Sequence, residues 1–226
     1  MNTERHRFEL IETMRADSQG QIPMLAGHLQ RLQASALNLG FNWPGHVAVD
    51  QEIQTALLKM TTSTESTRVR LLMTPNGELH ITTAPLPALQ TRPLVALASL
   101  TLDSHEALLQ HKTTQRPWYD PTTQWLAAHH DFFDLIFLNE RAELCEGSRS
   151  NIYIKQNNAW VTPPLACGLL GGVMREHLLS THQVREAVLT RTDFEHPAAS
   201  LRLSNGLRGW FDVLRAESLF PGRDLP

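Results

Sequence analysis

Three prolines in nine residues, Pro85, Pro87 and Pro93, divide this chain into two stretches of different texture. Proline fixes φ, lacks an amide hydrogen and pushes the residue before it out of the α region. Residues 85–93 therefore read as an extended connector that no helix or central strand runs through. Before it, Phe8-Glu9-Leu10-Ile11-Glu12-Thr13-Met14-Arg15 alternates polar and apolar residues as a half-buried strand does. Between Gly27 and Gly40, Leu29, Leu32, Ala36 and Leu39 recur near helical spacing, with Gly40 as the C-terminal stop. A second helix is expected to take Asp50 as its cap and to bury Ile53, Ala56, Leu57 and Met60. Arg68–Met73 and Leu79–Thr82 flank Pro75-Asn76-Gly77, a hairpin turn. After the connector, short strands dominate: Leu94–Leu100, Leu135–Leu138, Ile152–Lys155, Trp160–Thr162, Ala187–Thr190 and Leu201–Ser204, with helices at about 121–130 and 172–180. The expectation is a two-domain α+β chain: a small α+β domain over 1–84, a linker over 85–93, and a larger strand-rich domain over 94–226.

Charge and composition narrow the function classes. A net charge of −3 gives no electrostatic case for nucleic acid or an anionic membrane as the main partner. No apolar run approaches the ~20 residues of a membrane span, and Met1–Arg7 is too polar for a secretory signal. Cys145 and Cys167 are too few for a disulfide framework or a four-ligand zinc site. The expectation is a soluble, cytoplasmic protein. His129-His130-Asp131 is the densest histidine cluster, but adjacent helical residues point in different directions and no His-x-x-x-His pair exists, so no metal site is expected.

Lysine occurs three times. A lysine taken blindly is a surface residue, and Lys59, on an amphipathic helix, and Lys155, beside a hairpin turn, fit that reading. Lys112 follows Ala107-Leu108-Leu109 and precedes two threonines, where a polar pocket wall is equally compatible. An amine that forms a Schiff base must be neutral part of the time, hence desolvated or near positive charge. Glu146 stands just before Gly147-Ser148, where the chain leaves a strand and can approach a flat ring; Glu143 is the competing carboxylate, and a solvated hairpin residue the alternative. Gly171-Gly172-Val173-Met174 opens a helix whose first-turn amides can bind an anion, or forms only a loop. Ser204-Asn205-Gly206 could give the same anion a hydroxyl and an amide, and Arg31 a fixed charge, unless Arg31 is a surface helix arginine. An amine, a carboxylate for a ring nitrogen and a phosphate-holding helix start are what pyridoxal phosphate asks of a protein. Arg116, Arg149 and Arg208 lie beside these segments; arginine suits bidentate carboxylate recognition, although each also reads as a surface residue.

The segments Phe8–Arg15, His28-Leu29-Gln30-Arg31-Leu32, His111-Lys112-Thr113-Thr114, Asn139-Glu140-Arg141, Cys145–Asn151 and Thr162–Arg175 resemble the class IV aminotransferase family, over nearly the whole chain and in the same order. The resemblance implies the pyridoxal-phosphate-dependent fold of the D-amino acid and branched-chain aminotransferases (fold type IV). By position, Lys112 resembles the family's Schiff-base lysine, Glu146 the carboxylate on the pyridine nitrogen, and Arg31 the phosphate-binding arginine. Gly172, Val173 and Met174 stand where helix-start amides meet the phosphate, and Ser204 and Asn205 where a strand-end loop does. Leu109–Arg116 and Leu203–Trp210 resemble the family's 4-amino-4-deoxychorismate lyases, including those fused to aminodeoxychorismate synthase. This implies a lyase making p-aminobenzoate and pyruvate for folate synthesis. An aminotransferase acting on D-amino or branched-chain amino acids is the alternative. A small-molecule substrate and a homodimer are also implied. Met174 departs from the threonine or serine of many members and Gly171 from proline, while the family's opening strand before Phe8 is not recognisable.

Overall fold

The computed structural model describes residues 8–59, 66–89 and 91–216. They fall into two compact units. One holds the described residues up to Ala88 together with His111–Gln115, and the other holds Leu89–Gln110 and the described residues from Arg116 onward.

The first unit is built from β1 (Leu10–Ala16), α1 (Leu25–Asn38), α2 (His46–Leu58), β2 (Thr67–Met73) and β3 (Leu79–Pro85), with an antiparallel sheet in the order β1-β2-β3. Leu10, Glu12, Met14 and Ala16 share one face of β1 by strand parity, and all four are buried. The α1 stripe of Leu29, Leu32 and Ala36 is buried as the spacing predicts. The β2–β3 hairpin turns where expected: Gly77, at φ +86°, donates its N–H to the Thr74 carbonyl. The second helix differs from expectation. It starts at His46, directly behind the Pro44-Gly45 break, so Asp50 lies inside it, and its buried residues are Val49 and Ile53. Ala56 and Leu57 are half-buried, and Met60 lies outside the described residues, as does any strand before Phe8.

His111–Gln115 adds a further extended segment to β1. Ile11 N–H donates to the Lys112 carbonyl at 2.8 Å, Thr114 N–H donates to the Glu9 carbonyl at 2.9 Å, and Leu10 bridges Thr113 antiparallel.

The second unit holds β4 (Leu94–Leu102), α3 (Asp120–Ala128), β5 (Phe132–Asn139), β6 (Leu144–Gly147), β7 (Asn151–Gln156), β8 (Ala159–Thr162), α4 (Val173–Ser180), β9 (Val184–Glu186), α5 (Arg191–Glu195), β10 (Leu201–Asn205) and β11 (Gly209–Arg215). Its sheet runs β10-β11-β4-β5-β6-β7-β8-β9, and a further β10–β7 pairing curls it into a barrel-like form. Leu135, Phe137, Tyr119 and Leu169 fill one core cluster, and Ile136, Ile152, Val161, Leu203 and Phe194 another. The β4–β5 pair is parallel and therefore needs a long crossover, which carries residues 103–131.

β11 was not apparent from the pattern, β6 entered only as the strand that Glu146 leaves, without bounds, and the Ala187–Thr190 strand forms differently. The ladder there is Val184–Glu186, while Ala187 and Leu189 make single backbone bonds to Thr162 and Leu144. The extended run ends because Thr190 caps α5 in a reciprocal capping box with Asp193.

Candidate active site

In the first unit, the Lys112 carbonyl and the Thr114 amide bond to β1 on either side of Thr113, which is fully buried. Lys112 is half-buried, whereas Lys59 and Lys155 are exposed. His111 Nδ1 lies 2.9 Å from Ser35 Oγ, and burial pulls the His111 pKa below its usual value.

Arg31 and His28 are one helical turn apart on α1 and meet the same carboxylate. Arg31 donates from Nε to Glu12 Oε1 at 2.9 Å and from Nη2 to Oε2 at 2.6 Å, a bidentate pair that fixes the guanidinium plane. His28 Nδ1 stands 2.6 Å from Glu12 Oε2. Burial would raise the Glu12 pKa, but the Arg31 and His28 charges and hydrogen bonds outweigh it and hold the carboxyl at about 2. Arg31 is thus no solvated helix arginine: its side chain is 15% exposed. Glu12 was not singled out in the sequence. Its signal was a carboxylate at an inward-facing strand position, between Leu10 and Met14.

In the second unit, Glu146 is buried on β6 and accepts from the Tyr119 hydroxyl at 2.8 Å and from Asn151 Nδ2 at 3.3 Å. Its alternative, Glu143, is partly exposed and is taken up by Arg141 and Asn139 in the turn. The Tyr119 pKa stands well above 10, from burial first and then from the Glu146 charge, so its hydroxyl remains a donor. Asn151 also donates to the Leu170 carbonyl at 2.9 Å, which ties Glu146 to the chain entering α4.

The α4 start is shaped for close approach. Gly172 is the N-cap, and among the described residues no side chain caps the first turn. A Cβ on Gly172 would lie 2.0 Å from Asn151 Oδ1, so only glycine fits. Val173 is buried and Met174 half-buried against the cluster of Tyr153, Leu178 and Val184. Ser204 is fully buried, with its hydroxyl 2.7 Å from the Tyr153 hydroxyl. The Asn205 side chain is spent locally: Oδ1 accepts from the Leu207 and Arg208 amides, and Nδ2 donates to the Arg149 carbonyl.

The three arginines part company. Arg116 Nη2 donates to the Ser148 carbonyl at 2.6 Å, and its guanidinium lies 4.4 Å from the centre of the Tyr119 ring, beside the Glu146 hydrogen bond. Arg208 is half-buried in the β10–β11 turn. Arg149 is exposed and turns onto Phe133, donating from Nε to that residue's carbonyl at 2.7 Å. In the second unit Tyr119 and Asn151, which sequence reading missed, hold the Glu146 carboxylate, Asn151 ties it to Leu170 ahead of α4, and the carbonyls of Ser148 and Arg149 take Arg116 and Asn205.

The second unit carries a strand-borne buried carboxylate, Glu146, and an open helix start at Gly172, and the first carries a half-buried lysine, Lys112, on an ordered segment. The family model for class IV aminotransferases matches residues 9–216, and the chain belongs to this pyridoxal-phosphate-dependent family. A solved structure from Mesorhizobium loti, provisionally named an amino-acid aminotransferase, is 32% identical with a TM-score of 0.83, covering 92% of this chain and 99% of its own. A Schizosaccharomyces pombe protein provisionally named an aminodeoxychorismate lyase is 28% identical over 180 residues, 78% of this chain and 75% of its own. A Thermotoga maritima protein provisionally named a branched-chain-amino-acid aminotransferase is 28% identical over 179 residues, 75% of this chain and 62% of its own. No helix among the described residues is long and apolar enough to cross a membrane.

Proposed function

We propose that this protein is a lyase that converts 4-amino-4-deoxychorismate into p-aminobenzoate and pyruvate. The observation that carries the reading is the likeness to the fission-yeast protein across most of both chains. An aromatic guanidinium seat supports it: Arg116, stacked on Tyr119, offers a fixed cation beside Glu146 for a substrate carboxylate.

The residues present fit pyridoxal phosphate. The cradle at Gly172, which a Cβ would close, leaves the first-turn amides of Val173 and Met174 for a phosphate, with helix-dipole support. Ser204 and Asn205 end β10 as a second wall, with the Ser204 hydroxyl assigned to the phosphate and the Asn205 side chain ordering the loop behind it. Arg31, oriented by Glu12, supplies the phosphate with positive charge. Met174 brings no hydroxyl, so its contribution is the backbone amide alone.

When bound, the cofactor supplies an electron sink for a carbanion next to the substrate nitrogen. Glu146 holds a proton on the pyridine nitrogen, and the Tyr119 hydroxyl and Asn151 amide keep its carboxylate in place. Lys112 would anchor the cofactor, and its amine would serve as the base for the proton on the ring carbon that bears the substrate nitrogen. The bond from the neighbouring ring carbon to the enolpyruvyl oxygen would break with its electron pair leaving on oxygen, the departing enolate would take up a proton on carbon to become pyruvate, and the remaining ring would be aromatic. Arg116 and Arg208 are assigned to substrate carboxylates, whereas Arg149 is turned onto Phe133.

The assay generates aminodeoxychorismate in situ with a synthase and follows p-aminobenzoate fluorescence together with pyruvate. The second reading, an aminotransferase for D-amino or branched-chain amino acids, is favoured by the Mesorhizobium and Thermotoga likenesses. If neither lyase product forms while such an amino acid yields its oxo acid, the second reading replaces the first. The proposal also includes a homodimer in the cytoplasm; a stable monomer that turns over in light scattering would count against the dimer.

A further inference from the structure

Asp134 sits in the middle of the apolar β5 run Phe132-Phe133-Asp134-Leu135-Ile136-Phe137-Leu138 and is fully buried. Among the described residues no lysine, arginine or histidine forms an ion pair with it. A carboxylate in such a place persists only where hydrogen bonds satisfy it fully. Five donors do so. Oδ1 accepts from Leu135 N at 3.0 Å, Ser148 N at 2.9 Å and Ser148 Oγ at 2.7 Å. Oδ2 accepts from Arg149 N at 3.0 Å and Ser150 Oγ at 2.6 Å. Four of the five come from the three-residue tip of the β6–β7 hairpin. That tip is drawn so closely onto the carboxylate that a Cβ on Gly147 would lie 2.2 Å from Oδ2.

The consequence reaches both sides of the hairpin. With its amides turned inward, the tip turns carbonyls outward: that of Ser148 accepts from Arg116 and that of Arg149 from Asn205. At the base of the hairpin, Glu146 pairs with Asn151 across the strands, and Asn151 Nδ2 meets the Glu146 carboxylate. We propose that Asp134 is a positioning residue: its hydrogen bonds to the hairpin tip set the direction of the Glu146 carboxylate and the seat of Arg116. The inference rests on the reading of Glu146 as the carboxylate on the cofactor's ring nitrogen. Asp134 itself touches neither cofactor nor substrate in this account.

The test uses the full chain reconstituted with pyridoxal phosphate carrying ¹⁵N in the ring, and reads ring protonation from the nitrogen chemical shift, alongside kcat and KM. Asp134→Asn keeps the volume but presents an NH2 group to donors at one oxygen. It is expected to move the ring nitrogen toward its unprotonated shift and to lower kcat by about tenfold or more, with a smaller change in KM. Ser150→Ala removes one donor, leaves the charge, and should move both readouts less but in the same direction, which keeps the test available if Asp134→Asn does not fold. Glu146→Gln is the reference, and Asp134→Asn combined with it should fall little below Glu146→Gln alone, because both act through one group. If Glu146→Gln leaves the nitrogen protonated, the reading of Glu146 fails and the inference with it. If Glu146→Gln shifts the nitrogen while Asp134→Asn or a folded Ser150→Ala leaves it at the wild-type position, Asp134 is merely structural and the inference alone is overturned.

Discussion

The Tyr119 hydroxyl donates to Oε1 of Glu146 over 2.8 Å, and both side chains are buried. A phenol whose pKa burial and a neighbouring carboxylate have pushed far up cannot give its proton away, so it acts as a fixed dipole aimed at one oxygen. Tyr119→Phe should therefore keep the packing against Phe137, which Tyr119 meets edge-on at 5.0 Å, and lose only the hydroxyl. Leaving the Glu146 acceptor short of a donor costs about 1–3 kcal/mol of stability. Turnover should fall several-fold with KM little changed. Thermal unfolding and steady-state kinetics together check this; unchanged values in both would mean Glu146 is held by other means.

Lys112 is expected to carry the cofactor. Borohydride reduction of the reconstituted protein followed by peptide mapping should place the pyridoxyl group on Lys112, and Lys112→Ala should lose the visible absorbance band of the bound cofactor. A label on the exposed Lys59 or Lys155 would overturn the assignment.

Glu12 gives a pH dependence of defined sign. Its folded pKa, about 2, lies below the ordinary value of 4.5. The associated stability is thus fully present above about pH 4.5 and drains away as pH falls toward 2. A shift of this size corresponds to a few kcal/mol at neutral pH. Glu12→Gln should destabilise the protein near pH 7 and flatten the acid limb of its stability curve. It should also weaken cofactor binding, because Arg31 loses its partner. Denaturant melts between pH 3 and 7 provide the comparison, and an acid limb as steep as wild type would show that other carboxylates dominate it.

Gly172→Ala places a methyl group where Asn151 Oδ1 now stands. The asparagine must move off the Leu170 carbonyl and Glu146, or the first turn of α4 must shift. Either response should weaken pyridoxal phosphate binding by tenfold or more, on the order of 1.4 kcal/mol, read from a fluorescence titration. Gly171→Ala is the control, since its Cβ would find its nearest neighbour at 3.4 Å and should cost much less.

Periodicity was enough for β1, α1 and β2, which each bury one face or stripe, and the Pro75-Asn76-Gly77 turn gave β3, whose residues alternate between half-buried and exposed. Periodicity missed β11, whose aromatic residues are only half-buried, and gave no bounds for β6, where Leu144-Cys145-Glu146-Gly147 is short and broken by a charge. The capping box Thr190-x-x-Asp193 was present in the sequence and announces α5. Lys112, Glu146, Arg31 and the Gly171-Gly172 helix start stand out as candidates because motif order exposes them. Their supports do not: Glu12, Tyr119, Asn151 and Asp134 bind through distances that no local window contains. Two of them did leave a trace, since Glu12 and Asp134 are acids at positions where the pattern calls for a hydrocarbon.

The chain leaves the second unit after Gln110, lends five residues to the first, and returns at Arg116. No single cut therefore separates the two halves, although the proline-rich connector invites one. A fragment ending at Ala88 would be missing the strip that lies along β1, and β1 would present bare amides and carbonyls to other molecules. Such a fragment is a poor subject for separate expression and a ready template for aggregation. Circular permutation faces the same obstacle: new termini opened between Gln110 and Arg116 would untie the lysine from its rail, whereas termini placed in the Gln156–Ala159 turn would leave it in place.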